Sequence, residues 1–144
     1  MIWKKPIDLQ SLNEWHQNTM QQHIGILFTE IGDDYIKATM PVDNRTKQPM
    51  GLLHGGASVA LAESLGSVAS VLCVDPEKQT VVGLEINANH IKTAKEGFVT
   101  GIAKPIHLGR STQVWEIRIY NEAEQLVCIS RITNAILEHK KTAT

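Results

Sequence analysis

His54-Gly55-Gly56 stands directly before residues 57–74, a stretch built mainly from Ala, Val, Leu, Ser and Gly whose single charged residue is Glu63. Glycines at the mouth of a helix allow close backbone approach. The unpaired N–H groups of the first turn, aligned with the helix dipole, then form a site for a developing oxyanion. A carboxylate on the same helix supplies a nucleophile or general base, so together the two features hold the parts of an acyl transfer. Each alone has a plainer explanation, Gly-Gly as an opening turn with a satisfied histidine and Glu63 as part of a solvated stripe. At about 100° per residue Gly56, Glu63, Ser67 and Ser70 do share one narrow strip. That strip also carries Val59 and Val74, and it lacks the Lys, Arg and further Glu of a solvent-facing helix. An unpaired carboxylate among Leu61, Ala62 and Leu65 is costly to ionise, so the expectation is a polar seam facing a cleft or a subunit interface.

Spacing adds a constraint. Glu63 follows Gly55 by eight residues, about 12 Å along a helix, whereas a reacting carbonyl must lie about 3 Å from both its oxyanion donor and its attacking group. One copy of the helix cannot serve both roles. Two antiparallel copies about a two-fold axis can, with Gly55 of one facing Glu63 of the other.

The elements that must position these residues follow from periodicity. Residues 9–17 read as a short amphipathic helix, capped by Asp8 or Ser11, with Leu9, Leu12 and Trp15 or His16 on one face. Residues 27–31 and 35–40 form a hairpin about Gly32-Asp33-Asp34, ended by Pro41, and a polar loop leads to the glycines. Beyond the apolar helix, Asp75-Pro76 marks its end, and four strands are expected at 80–91, 97–107, 112–120 and 125–137, with alternation in Val82/Leu84/Ile86/Ala88 and Trp115/Ile117/Ile119. A helix apolar nearly all round has to be buried. The fold class is therefore α+β, a curved antiparallel sheet wrapped round one long central helix with a short N-terminal helix, and residues 1–144 form a single domain.

Gly51-Leu52-Leu53-His54-Gly55-Gly56-Ala57 followed by Ala62-Glu63-Ser64 resembles the hotdog-fold acyl-CoA thioesterases, in the branch acting on 4-hydroxybenzoyl-CoA and related aryl-CoA substrates, and the likeness runs over roughly the whole chain. Thr46-Lys47-Gln48-Pro49, Val82-Gly83-Leu84-Glu85-Ile86-Asn87-Ala88-Asn89-His90 and His107-Leu108-Gly109 resemble the members of that branch acting on 1,4-dihydroxy-2-naphthoyl-CoA in menaquinone synthesis. The resemblance implies Glu63 as nucleophile or general base, the Gly55 N–H polarising the thioester carbonyl, and Gln48 and His54 holding the thioester or the water. Ser67 would touch the acyl group or the water. The CoA pantetheine and nucleotide would lie on Val82, on Asn89, His90, Ile91 and Lys92, and on Ile106, His107, Leu108, Gly109, Arg110 and Ser111, with weaker support for Thr112. Lys92 and Arg110 carry the charge that phosphates need. A homotetramer built from dimers is the assembly implied. No cofactor is expected, since CoA is part of the substrate.

Other classes fit less well. A hotdog dehydratase or hydratase on acyl thioesters resembles its relatives in a His-Phe-Pro segment before the helix acid, which this chain lacks, and a non-catalytic acyl-CoA binder has no need of Glu63. A broad-range fatty acyl-CoA proofreading thioesterase remains an alternative, because one methylene in an apolar pocket discriminates only about 10 to 200-fold. The formal net charge of -1 is spread evenly and offers no basic face for nucleic acid. The six histidines are dispersed, without ligand spacing for a metal. Cys73 and Cys128 sit in apolar surroundings, and neither an apolar leader nor a membrane span is apparent, so the expected location is the cytoplasm.

Overall fold

The structure is a computed structural model that describes residues 1–141. Two short helices come first, α1 (Leu9–Trp15) and α2 (Met20–His23), then strands β1 (Leu27–Ile31) and β2 (Ile36–Pro41), the long helix α3 (Gly55–Leu72), and strands β3 (Gln79–His90), β4 (Phe98–Leu108), β5 (Thr112–Tyr120) and β6 (Leu126–Glu138). All six strands belong to one antiparallel sheet in the order β1-β2-β4-β5-β6-β3. Among the described strands β1 and β3 are therefore its edges.

Asp8 caps α1 by accepting from the Ser11 N–H at 2.8 Å. His16 rather than Trp15 completes its inner face: His16 is 8% exposed and Trp15 59%. The imidazole is satisfied there because its Nδ1 meets the Leu12 carbonyl at 2.7 Å and its ring packs on Phe28. The four-residue α2 has too few residues to show a helical period, and periodicity alone did not reveal it.

Helix α3 lies across the concave face of the sheet, with Leu61, Leu65 and Val68 in one core with Val99, Ala103, Trp115, Ile117, Ile119 and Ile132. Each valine, leucine and isoleucine among them contributes roughly 1.5–3 kcal/mol by leaving water. Two glycines set the closeness of approach. A Cβ on Gly66 would fall 2.4 Å from Ile132 Cγ2, and one on Gly101 would fall 2.5 Å from Leu65 Cδ1. The helix has 18 residues and is apolar enough to cross a membrane, but it is the core helix of this sheet.

Its burial is not complete all round. Gly56 and Glu63 are exposed, and Val59, Ala60 and Ser67 are half-buried, so a seam of small residues about Glu63 faces away from the sheet. Ser70 does not share it. That residue is buried, held by the Asn134 amide at 2.7 Å.

Strand β3 also departs from the regular alternation. Its register with β6 shifts between Gly83 and Glu85, a bulge that reverses which parity faces inward. Before the bulge the more protected positions are Gln79 and Val81; after it they are Ile86 and Ala88. Val82 and Leu84, 39% and 61% exposed, thus do not share an inner face with Ile86 and Ala88.

Candidate active site

At the start of α3, His54 is the N-cap, and its Nδ1 accepts from the Gly56 N–H at 2.8 Å. An Nδ1 acting as acceptor assigns the proton of the neutral ring to Nε2, so His54 offers a donor to a ligand. The N–H groups of Ala57 and Ser58 are directed at the His54 carbonyl, at 3.0 and 3.2 Å. Among the described residues the Gly55 N–H has no hydrogen-bond partner, which leaves it as the bare donor of the first turn.

The preceding loop is tied down on both sides. The His54 N–H bonds the Thr46 carbonyl at 2.8 Å, the Leu53 N–H bonds the Ala94 carbonyl at 2.8 Å, and the Thr46 hydroxyl bonds the Pro41 carbonyl at 2.7 Å. Gln48 Oε1 accepts from the Met50 N–H, which orients its Nε2 as a free donor. Gln48, Gly55, Ser58, His90 and Lys92 line one cavity of about 270 Å³. His90 comes so close that a Cβ on Gly55 would lie 2.9 Å from its Nε2. A side chain at that position would displace the imidazole.

Glu63 lies elsewhere. It lines a second cavity, about 150 Å³, with Gly83, Leu84, Glu85, Ile86 and Ile132. Within one chain the carboxylate and the Gly55 donor therefore open into different cavities, as the spacing along the helix requires. Ser67, one turn further on, sits half-buried on the same seam.

A third group forms at the far end of α3. Leu108, Gly109 and Arg110 line a cavity of about 350 Å³ with Lys4, Cys73 and Gln113. The loop is closed by the Gly109 N–H to the Thr112 carbonyl and by the Ile136 N–H to the Ser111 carbonyl, both at 2.9 Å. A bulge between Pro105 and His107 brings the His107 ring against Gly109, where a Cβ would lie 2.4 Å from Nε2. Ile106 and Leu108 are exposed.

Asn89, His90, Ile91 and Lys92 lie at the other end, with the N–H groups of Ile91 and Lys92 both on the Val127 carbonyl. The 18 residues of α3 separate the two groups by about 27 Å. One chain thus brings Gln48, Gly55, His90 and Lys92 together, with the His54 ring beside them over Gly56 and not lining that cavity, and it holds Glu63 with Ser67, and residues 106–111, as separate pieces. Val82 borders the Glu63 piece, and strand alternation turns its side chain away from the face that Gly83 presents.

Three residues at these places did not emerge from the sequence. Ser58 is buried beside Gly55. Gly83 and Asn134 face each other across β3 and β6 near Glu63. A glycine inside a strand and an asparagine inside an apolar strand were the available signals. No group of three His, Cys, Asp or Glu side chains converges as a metal site among the described residues.

Residues 50–128 match the model of the Thioesterase superfamily. The chain is 59% identical over 137 residues to a 1,4-dihydroxy-2-naphthoyl-CoA hydrolase of Escherichia coli, covering 95% of this chain and 100% of that protein. It is 53% identical to a proofreading thioesterase of Cronobacter sakazakii, covering 95% of this chain and 99% of the other. The crystal structure of a thioesterase from Haemophilus influenzae superposes with a TM-score of 0.95 at 49% identity over the whole of both chains.

Proposed function

This chain belongs to the thioesterase superfamily, and from that premise we propose that it hydrolyses an aryl-CoA thioester, 1,4-dihydroxy-2-naphthoyl-CoA of menaquinone synthesis, to the free acid and CoA. The enzyme is a thioester hydrolase. The choice of acyl group is supported by the likeness to the Escherichia coli enzyme and by the resemblance of residues 46–49, 82–90 and 107–109. The Cronobacter relative supports a second reading, a proofreading thioesterase with a broad range of acyl groups.

The observation that carries the mechanism is the division of the chemistry along α3, with a bare Gly55 N–H at its start and an exposed Glu63 on its open seam. In this reading the thioester carbonyl accepts from the Gly55 N–H, with His54 Nε2–H and Gln48 Nε2 as further donors. Glu63 comes from a second copy of the chain. It either takes a proton from water, whose oxygen adds to the carbonyl carbon, or attacks that carbon itself. In the first route the tetrahedral intermediate expels CoA thiolate, which recovers the proton from Glu63. In the second the thiolate leaves an anhydride that water then opens.

The unpaired edge of β3 and the seam of α3 are the surfaces on which two copies would meet, and a homotetramer would bring the pieces at 89–92 and 106–111 to one CoA. CoA arrives with the substrate and no other cofactor is used. Cys73 and Cys128 are buried free thiols, in keeping with a cytoplasmic enzyme.

Glu63→Gln and Glu63→Ala are expected to lower hydrolysis by at least about a hundredfold, the low end for losing a positioned acid-base group. Turnover close to wild type in either variant refutes the mechanism. A panel of aryl- and fatty-acyl-CoA substrates ranked by kcat/KM decides between the two acyl ranges, and oxygen-18 from solvent entering the Glu63 carboxylate in a single turnover marks the anhydride route.

A further inference from the structure

Asn134 lies in the middle of β6 with no exposed surface, in register with Gly83 of β3 on one side and Gln113 of β5 on the other. Its Nδ2 donates to Ser70 Oγ at 2.7 Å and to the Gly66 carbonyl at 3.3 Å. These two bonds set the orientation of the amide, since turning it over would place Oδ1 against another acceptor, the Gly66 carbonyl. The oxygen is thereby directed away from Ser70 and the Gly66 carbonyl, and among the described residues no protein group donates to it. A buried acceptor left without a donor is costly, and native structures rarely keep one.

Gly83 shows what lies in front of that oxygen. A Cβ built there would sit 3.7 Å from Glu63 Oε1 and 3.8 Å from Asn134 Oδ1, with no nearer neighbour outside its own chain segment. Both are ordinary contact distances, so packing does not require a glycine at 83. Its lack of a side chain leaves open a place that the two oxygens flank, in front of a residue that lines the Glu63 cavity. Two acceptors can be bridged only by a group with two donor hydrogens. No lysine or arginine lines the cavity, and its other charged residue, Glu85, accepts from Asn87 Nδ2 at 3.0 and 3.1 Å.

We propose that Asn134 is a positioning residue for Glu63: its Oδ1 and the Glu63 carboxylate hold between them one water, seated in front of Gly83, that donates a hydrogen to each. This rests on the reading of Glu63 as the catalytic carboxylate. The water ties one carboxylate oxygen to the sheet and leaves the other free on the open seam. Because it donates to the carboxylate, it also favours the ionised form.

The test uses two variants that remove the water by different means. Gly83→Ala fills its place at permitted distances, and Asn134→Leu removes its acceptor at similar volume. Each is expected to lower kcat about tenfold, the effect of losing a hydrogen bond to a charged group, with little change in KM. Each is also expected to move the acid limb of the kcat/KM profile to higher pH. The double variant is expected to be no worse than the poorer single one, since both act through one water. A crystal structure of the wild-type protein at high resolution is expected to show that water between the two oxygens, and the Gly83→Ala protein to lack it.

Wild-type rate and pH profile in a correctly folded Gly83→Ala protein overturn the proposal, as do multiplying effects in the double variant or a crystal structure without the water. Glu63→Gln separates the two levels of the argument. Its loss of turnover beside an unaffected Gly83→Ala protein defeats this inference alone, whereas full turnover in Glu63→Gln defeats the mechanism beneath it as well.

Discussion

The arrangement along α3 makes a quantitative demand on mixed assemblies. From Gly55 to Glu63 is about 12 Å at 1.5 Å per residue, about twice the span of about 6 Å that one carbonyl allows between donor and attacking group, so the proposed site takes the start of α3 from one chain and Glu63 from another. Two inactive proteins then carry complementary halves: Glu63→Ala, and a double variant Gln48→Ala with His54→Ser. Serine is chosen because His54 is the N-cap, and a short hydroxyl replaces its bond to the Gly56 N–H without replacing its Nε2 donor. Unfolded and refolded together in equal amounts, the two proteins pair at random, so about half the dimers are hybrids. Each hybrid holds one intact site and one doubly damaged site. The expected recovery is about a quarter of wild-type thioesterase activity, read by release of free CoA, with hybrid content measured by native mass spectrometry. Activity no greater than the two parents summed, in a sample shown to contain hybrids, refutes the shared site and the placement of the oxyanion donor at Gly55.

The double role of His54 can be separated by two substitutions. His54→Ala is expected to lower both activity and stability, the latter by about 1 kcal/mol for a lost cap, while His54→Asn restores the melting temperature and not the rate. At the CoA end, replacing Arg110 or Lys92 is expected to raise KM more than it lowers kcat, because phosphate contacts far from the carbonyl bind ground and transition states alike; a collapse of kcat at unchanged stability places the nucleotide elsewhere. Burial pushes the Cys73 thiol up from its ordinary 9.0 to about 11. The folded state therefore favours the neutral thiol, and the stability this contributes is whole below pH 9 and lost as pH rises towards 11, to be read from urea midpoints of wild type and Cys73→Ala across that range.

The residues proposed to carry the chemistry stand out in the sequence where their type conflicts with their surroundings. Glu63 is conspicuous because a carboxylate does not belong in an apolar helix, and Gly55 because the glycines precede that same helix. The strand at 112–120 was delimited to the residue by its flanking turns. What stayed hidden depends on parity and on contacts distant in sequence. Val82, Leu84, Ile86 and Ala88 alternate in the sequence as if one face were continuous, and a bulge that nothing but the partner strand reveals divides them. Ser70 lies close to the angle of the polar strip on an ideal wheel, yet an asparagine 64 positions later holds it in the interior. The same limit applies to Lys92 and Arg110. Their charge suits phosphate, but only the folded chain shows them at opposite ends of one helix.

The uncovered edge of β3 has a consequence for how the protein fails. Twelve residues long, interrupted by one bulge and carrying exposed Val82 and Leu84, it has neither the lysine nor the proline that natural sheets often place on an edge. If two copies meet on β3 as proposed, a chain separated from its partner presents that edge to any other extended segment. Substitutions that loosen pairing at β3 should therefore surface first as insoluble protein during expression, with little soluble single chain to recover, and a screen scoring only activity in lysates would count them as active-site lesions although every group on α3 is in place.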